Sequence, residues 1–337
     1  MMNAAVCEAP GQLILARRPV PVRAPDEVLL RVRRVGVCGT DMHIVRGTQP
    51  YLSYPRVIGH ELAAEVVEAS AASGLKAGEA VFVMPYMACR GCAACRSGKT
   101  NCCRNLQVLG VHRDGGLAEY LSVSNHFVLR AEGLTLDQIA MIEFLSIGAH
   151  AVDRGSVRAE QHVLVMGGGP IGIAVLLFAL ARNARVCVID TRADRLEFCR
   201  KVLKVHDAVL VTEEIGGRLS ELTRGEMFDV VFDATGNRQS MQAGFGYVGH
   251  GGNYVLVSIV QGDITFSDPE FHRRETTLLG SRNATLLDVS RVIEAMRAGR
   301  IPTAQLNTHR ATLAEVPAVF PTWMNPETGV IKAIVEC

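Results

Sequence analysis

The chain has 337 residues, 48% hydrophobic and 20% charged, with a formal net charge of +1. That length exceeds a comfortable single core, so two domains are expected. The near-neutral balance excludes electrostatic capture of nucleic acid or of an anionic membrane, each of which needs a basic surplus. The N-terminal MMNAAVCEAPGQLIL has no basic segment leading into a long apolar one. The longest apolar run, 171–181, is interrupted by Gly172 and is too short to span a bilayer. A cytoplasmic protein is expected.

The first third reads as short strands between turns, at 27–35, 63–68, 80–85 and 116–123, punctuated throughout by Gly and Pro as in a β-rich domain. Two groups of metal-ligating residue types fall within it. Cys38, in Gly36-Val37-Cys38-Gly39-Thr40-Asp41-Met42-His43, precedes His60 and Glu61 of Gly59-His60-Glu61, and Glu143 follows later. A thiolate, an imidazole and a carboxylate are the mixed ligands of catalytic zinc, leaving one place for water or an alcohol. A lone Cys and a lone His are equally ordinary as core residues. The second group is denser. Cys89, Cys92, Cys95 and Cys103 follow C-x2-C-x2-C-x7-C in a polar loop, 86–104. Four thiolates so close can complete a tetrahedron around a structural zinc, with an iron–sulfur cluster or metal-free thiols as alternatives. Such a metal would fold a lobe with almost no apolar core. Cys102 is the spare thiol, and Cys7, Cys187, Cys199 and Cys337 read as ordinary buried or terminal cysteines.

From about residue 158 the texture changes. Apolar runs of strand length at 163–166, 186–190, 208–211, 230–233, 254–259 and 277–280 alternate with helical stretches at 171–183, 193–203 and 238–246. That alternation predicts a doubly wound parallel sheet wrapped by helices. The first strand runs into Gly167-Gly168-Gly169-Pro170-Ile171-Gly172 and then an apolar helix, satisfying G-x-G-x-x-G in its strand–turn–helix context. Gly167 permits the tight turn, Gly169 the approach of a pyrophosphate, and Gly172 close helix–strand packing. Asp190 ends the next strand 23 residues after Gly167, where an acid accepts ribose hydroxyls and repels a 2′-phosphate. The reading is therefore NAD, with Arg192 and Arg195 as counter-evidence, since either can stack on adenine or touch a phosphate. Thr235 and Ser258 mark later strand ends where backbone can meet the nicotinamide half. A further helix at 287–298 leads to a final strand at 329–335.

Together these motifs resemble the zinc-containing medium-chain dehydrogenases, a family of alcohol, polyol and threonine dehydrogenases, over essentially the whole chain. The resemblance implies a GroES-like catalytic domain from 1–145 and 285–337, carrying the structural zinc lobe, around a Rossmann NAD-binding domain at 146–284. It implies two zinc ions per chain and assigns Cys38, His60 and Glu61 as catalytic zinc ligands. Glu143 becomes an exchangeable ligand or water holder, and Thr40 and His43 a proton relay. A dimer or tetramer is usual for such proteins. The chain departs from the family pattern at Ala64, where glycine is usual, and at Phe144, where proline is common.

Narrower segments resemble bacterial sugar-acid dehydrogenases that oxidise L-galactonate or L-gulonate at C5. Among them are 49–56, 109–116, 266–272 and 280–285. A small polyhydroxylated acid would want a cation for its carboxylate. Arg282 is the first choice because it follows a strand of the nucleotide domain, with Arg56 and Arg113 as others. Polyol or threonine oxidation with the same metal site is the alternative within the class. A nucleotide-binding regulatory protein without activity is the alternative outside it.

Overall fold

The computed structural model describes all 337 residues. Its contacts divide the chain into two units, Met1–Glu143 with Val292–Cys337, and Phe144–Arg291. No helix is long and apolar enough to cross a membrane.

The first unit is built around the strand Glu27–Val37. It pairs antiparallel with Glu61–Glu68, with Tyr120–Ser124 and with the C-terminal strand Lys332–Glu336. Ala80–Val83 and Val128–Arg130 extend one side of this seven-stranded sheet, and Asn307–Thr312 the other. Alternation sets the faces: Val28, Leu30 and Val32 are fully buried while Arg31 is exposed. A register shift between Val32 and Arg34 then inserts one residue, so burial resumes at Val35 and Val37. That shift places Gly36 opposite Glu61. Ile58, Leu62, Phe320 and Trp323 join the same core.

The second unit holds six parallel strands in the spatial order 207–210, 185–190, 162–166, 228–233, 248–256, 277–280. Numbered along the chain this is 3-2-1-4-5-6, the dinucleotide-binding order. Val163–Met166 and Val230–Asp233 are buried without a break, as strands covered on both faces must be.

Two expected strands are placed differently. The run predicted at 254–259 is the strand Val248–Leu256, which begins six residues earlier. A register shift after Val248 accommodates the glycines at its start. The run predicted at 116–123 is a strand only over Tyr120–Ser124. Its first part wraps the Gly59 turn instead, with the amides of Gly115, Gly116 and Leu117 donating to Val57, Gly59 and Ile58. The helix Ile215–Leu222 was not foreseen, because Gly216-Gly217 look like a turn.

Candidate active site and nucleotide turn

Cys38 follows the central strand and caps the helix Gly39–Arg46. Asp41, fully buried in that helix's first turn, turns its carboxylate back on two loops. One oxygen accepts from the Cys38 amide at 2.9 Å and the other from the Gly59 amide at 3.0 Å. A single side chain thus ties the turn carrying Cys38 to the turn carrying His60. Gly59 has φ +93°, and a Cβ there would lie 2.9 Å from Val35 Cγ1. Only glycine makes this turn. The ligand atoms of Cys38, His60 and Glu61 all lie within 4.8 Å of one another.

Glu61 is held from the far end of the chain. Gly36 pairs with Glu61 on one side and Ile334 on the other. A Cβ on Gly36 would sit 2.0 Å from Glu61 Oε2, so the missing side chain is the slot the carboxylate occupies. Lys332, 1% exposed, donates to Glu61 Oε1 at 2.6 Å, to Oε2 at 2.7 Å and to the Val37 carbonyl at 3.2 Å.

Glu143 stands outside the tight trio but in the same buried neighbourhood. The buried Tyr86 hydroxyl donates to its Oε1, while its Oε2 has no hydrogen-bond partner. His60 Nδ1 is likewise without a hydrogen bond, 3.8 Å from Asp41 Oδ1. Burial pushes Glu143 up to about 7, with His60 opposing and Glu61 adding to the rise. Burial lowers His60, yet Asp41 and Cys38 outweigh it and draw a proton onto the ring. A pocket that gathers acids around one lysine and leaves a carboxylate oxygen unpaired asks for a cation. A soft thiol, an imidazole and a carboxylate suit zinc with one open position.

Cys89, Cys92, Cys95 and Cys103 also converge within 4.8 Å. Cys92 and Cys95 Sγ are 3.5 Å apart, and the Cys89 amide donates to Cys103 Sγ at 3.2 Å. Zn–S bonds of about 2.3 Å require sulfurs about 3.8 Å apart, so these thiols fit a closed tetrahedral site. All ten cysteines are free, and Cys102 points outward, exposed. From Ala88 to Arg104 only Asn101 and Cys103 are buried, so nothing apolar holds this lobe together.

In the nucleotide turn Gly167 has φ +100°, and a Cβ on Gly172 would meet the Gly167 carbonyl at 1.8 Å. A Cβ on Gly169, at the head of the helix Pro170–Leu180, meets nothing within 4 Å and would fill the open space where a phosphate can approach. Asp190 Oδ2 accepts from the Gly168 amide at 2.6 Å, and Oδ1 from the Arg192 amide at 2.8 Å. Arg195 is buried beneath Gly168. The hydroxyls of Thr235 and Ser258 both turn back to the fully buried Asp233, at 2.9 and 2.7 Å. What these two residues present is therefore backbone.

Thr40 and His43 share the helix after Cys38, three positions apart and so on one side of it. His43 is exposed, and its Nδ1 lies 2.9 Å from Thr48 Oγ1. Burial of part of the ring, then Arg46, lowers its pKa. Of the three arginines, Arg56 is engaged by Asp114 at 3.1 Å, Arg113 rests on the Met87 sulfur at 3.6 Å, and Arg282 is exposed just past the strand Thr277–Gly280. Phe144 and Ala64, the two departures, are both fully buried.

Three contributors escaped sequence reasoning: Asp41, Tyr86 and Lys332. Lys332 had a signal, the one charge in the otherwise apolar run 329–335. Asp41 had one too, an acid three residues past a helix cap.

Comparison with known proteins agrees with this geometry. Residues 24–133 match the alcohol dehydrogenase GroES-like domain, and residues 170–298 match the zinc-binding dehydrogenase family. L-galactonate-5-dehydrogenase of Escherichia coli strain K12 is 42% identical over 93% of this chain and 94% of its own length. The alcohol dehydrogenase rspB of Escherichia coli CFT073, solved with NADH, superposes with TM-score 0.93 at 27% identity, over 100% of this chain and 99% of that one. A zinc-binding dehydrogenase of Sinorhizobium meliloti 1021, solved with NADP, gives TM-score 0.90 at 27% identity with the same coverage. A GroES-like domain joined to a Rossmann sheet is what the motifs implied, and the chain belongs to the zinc-binding alcohol dehydrogenases.

Proposed function

We propose that the chain oxidises a secondary hydroxyl of a sugar acid, L-galactonate or L-gulonate in kind, at C5, with NAD as hydride acceptor. The observation that carries this is the convergence of Cys38, His60 and Glu61 within 4.8 Å in a buried pocket, in a chain 42% identical to an L-galactonate-5-dehydrogenase. Cys38, His60 and Glu61 would hold the catalytic zinc, with Glu143 Oε2 left to hold water or to exchange. Cys89, Cys92, Cys95 and Cys103 would hold a second, structural zinc. Bound in place, zinc supplies a Lewis acid for the substrate hydroxyl and the dinucleotide supplies the hydride acceptor.

The chain's own residues do the rest. The glycine turn Gly167–Gly172 and Asp190 seat the dinucleotide, with Arg195, Thr235 and Ser258 lining its path. Thr40 relays the proton released from the substrate, accepting it as it gives up its own hydroxyl proton towards His43, which passes it to solvent, since a buried site without an exit would trap it. A lowered imidazole pKa leaves His43 neutral and able to accept at pH 7. Arg282 is the proposed contact for the substrate carboxylate, because it is exposed just past the strand Thr277–Gly280 of the nucleotide domain. In this reading the enzyme is a cytoplasmic dimer or tetramer.

The test is NADH formation by purified protein on a panel of aldonates, polyols and threonine, with NMR of the product. Oxidation of L-galactonate or L-gulonate to the 5-ketone is expected, well above the rate on sorbitol. Turnover of uncharged polyols or threonine alone would replace the sugar acid as substrate.

A further inference from the structure

We propose that Asp194 helps set the choice between NAD and NADP, by holding the Arg192 guanidinium away from an adenosine 2′-phosphate. The inference rests on the reading that the turn Gly167–Gly172 seats a nicotinamide dinucleotide.

The sequence gives opposing signals here. Asp190 stands where an acid accepts ribose hydroxyls and repels a phosphate. Arg192, two residues on, stands where an arginine accommodates that same phosphate. A free guanidinium would undo part of what the carboxylate excludes.

The structure places a third group between them. Arg192 caps the helix Ala193–Lys201, and Asp194 sits in its first turn. Arg192 Nε donates to Asp194 Oδ1 at 3.0 Å and Nη2 donates to Oδ2 at 2.5 Å. These two parallel bonds occupy the side-on fork of the guanidinium and turn it toward Asp194, leaving only its remaining N–H donors for a phosphate. The helix N-terminus favours a carboxylate at this position, and the Arg192 hydrogen bond holds the Asp194 carboxyl below its ordinary pKa. The Arg192 amide meanwhile donates to Asp190 Oδ1 at 2.8 Å, so one residue bonds both carboxylates, Asp190 through its backbone and Asp194 through its side chain. Arg195, in the first turn of the same helix, is buried rather than facing solvent.

The pair faces solvent, with side-chain exposures of 28% and 55%. An exposed pair is a weak tether, so the selection is graded rather than absolute. Asp194 acts through Arg192 and is a positioning residue.

The test uses calorimetric binding of two probes, ADP and adenosine 2′,5′-bisphosphate, to the whole purified enzyme at low salt. Neither zinc nor substrate enters the readout. Wild type should prefer ADP. Asp194→Asn should raise affinity for the bisphosphate about tenfold, the scale of one charge-assisted hydrogen bond, and leave ADP within about twofold. Adding Arg192→Gln should cancel the gain, and Asp194→Glu should retain the wild-type preference. A structural defect would weaken both probes alike and would overturn the proposal. So would a gain that survives in the double variant, since bare charge repulsion would then suffice. Wild-type preference for the bisphosphate would overturn the NAD reading itself, as would failure to bind either probe.

Discussion

Glu61 and Lys332 lie 271 positions apart in the chain and meet over the one residue of the central strand that has no side chain. Removing one partner of a buried ion pair leaves the other uncompensated, typically at a cost of about 3–5 kcal/mol. Lys332→Met should therefore destabilise the metal-free protein by about that much in chemical denaturation. Zinc should recover part of the loss, because a cation beside Glu61 replaces the missing charge; an equal loss with and without zinc would place Glu61 away from the metal. His43→Ala makes the complementary prediction. Zinc content should be unchanged while turnover at pH 7 falls by about 10²-fold, a common size for lost acid–base help. Activity should recover at high pH, where hydroxide accepts the proton, and a flat, undiminished pH–rate profile would remove His43 from the relay. At this scale much of the site was legible. The four-cysteine spacing stands out because few other roles explain it, whereas Cys38 and His60, ordinary as core residues when taken alone, were legible only through the family resemblance. Asp41 and Tyr86 were not, since a buried acid or phenol is recognised only once its partners are known.

Secondary-structure elements were legible where one physical signal dominated. The buried parallel strands and the apolar helix Pro170–Leu180 announce themselves by composition. Where glycine served packing instead of turning, the reading slipped, as in Val248–Leu256, whose early glycines are absorbed by a register shift. Thr235 and Ser258 were identified by position, but their hydroxyls proved committed to Asp233, which only a folded chain reveals. The cysteine lobe makes the sharpest prediction for an element. Between Ala88 and Arg104 it buries only Asn101 and Cys103, so its fold is expected to depend on a metal held by the four cysteines. Cys95→Ser should lower zinc content by about one ion per chain and make this segment protease-sensitive, while the rest of the chain stays folded. A brown iron–sulfur chromophore, or a lobe equally resistant without metal, would refute it.

Across the first unit, the chain's two ends must be held in one sheet. Asp137 does part of this work, bonding Arg34 Nε at 3.0 Å on the central strand and Arg310 on the strand Asn307–Thr312. Glu336 Oε1 accepts from Arg310 at 2.6 Å and closes the network. Burial alone would raise the Asp137 pKa, but hydrogen bonds from Arg310 and Arg34 outweigh it and hold the carboxyl below 3.8. A depressed acid contributes stability above its unfolded pKa and loses it as pH falls through the folded one. Asp137→Asn should thus cost stability at neutral pH, by about 1 kcal/mol or less for so exposed a network. The gap from wild type should close as pH drops below the ordinary carboxylate range. A gap that widened on acidification would reverse the sign of this account.

The central claim is that Cys38, His60 and Glu61 form a metal centre separate from the cysteine lobe. Metal analysis of the wild type and Cys38→Ser, side by side, tests it most directly. The account predicts about two zinc ions per chain in the wild type and about one in the variant, which keeps its lobe but oxidises no alcohol at any pH. A Cys38→Ser protein that retained both ions and its activity would contradict it.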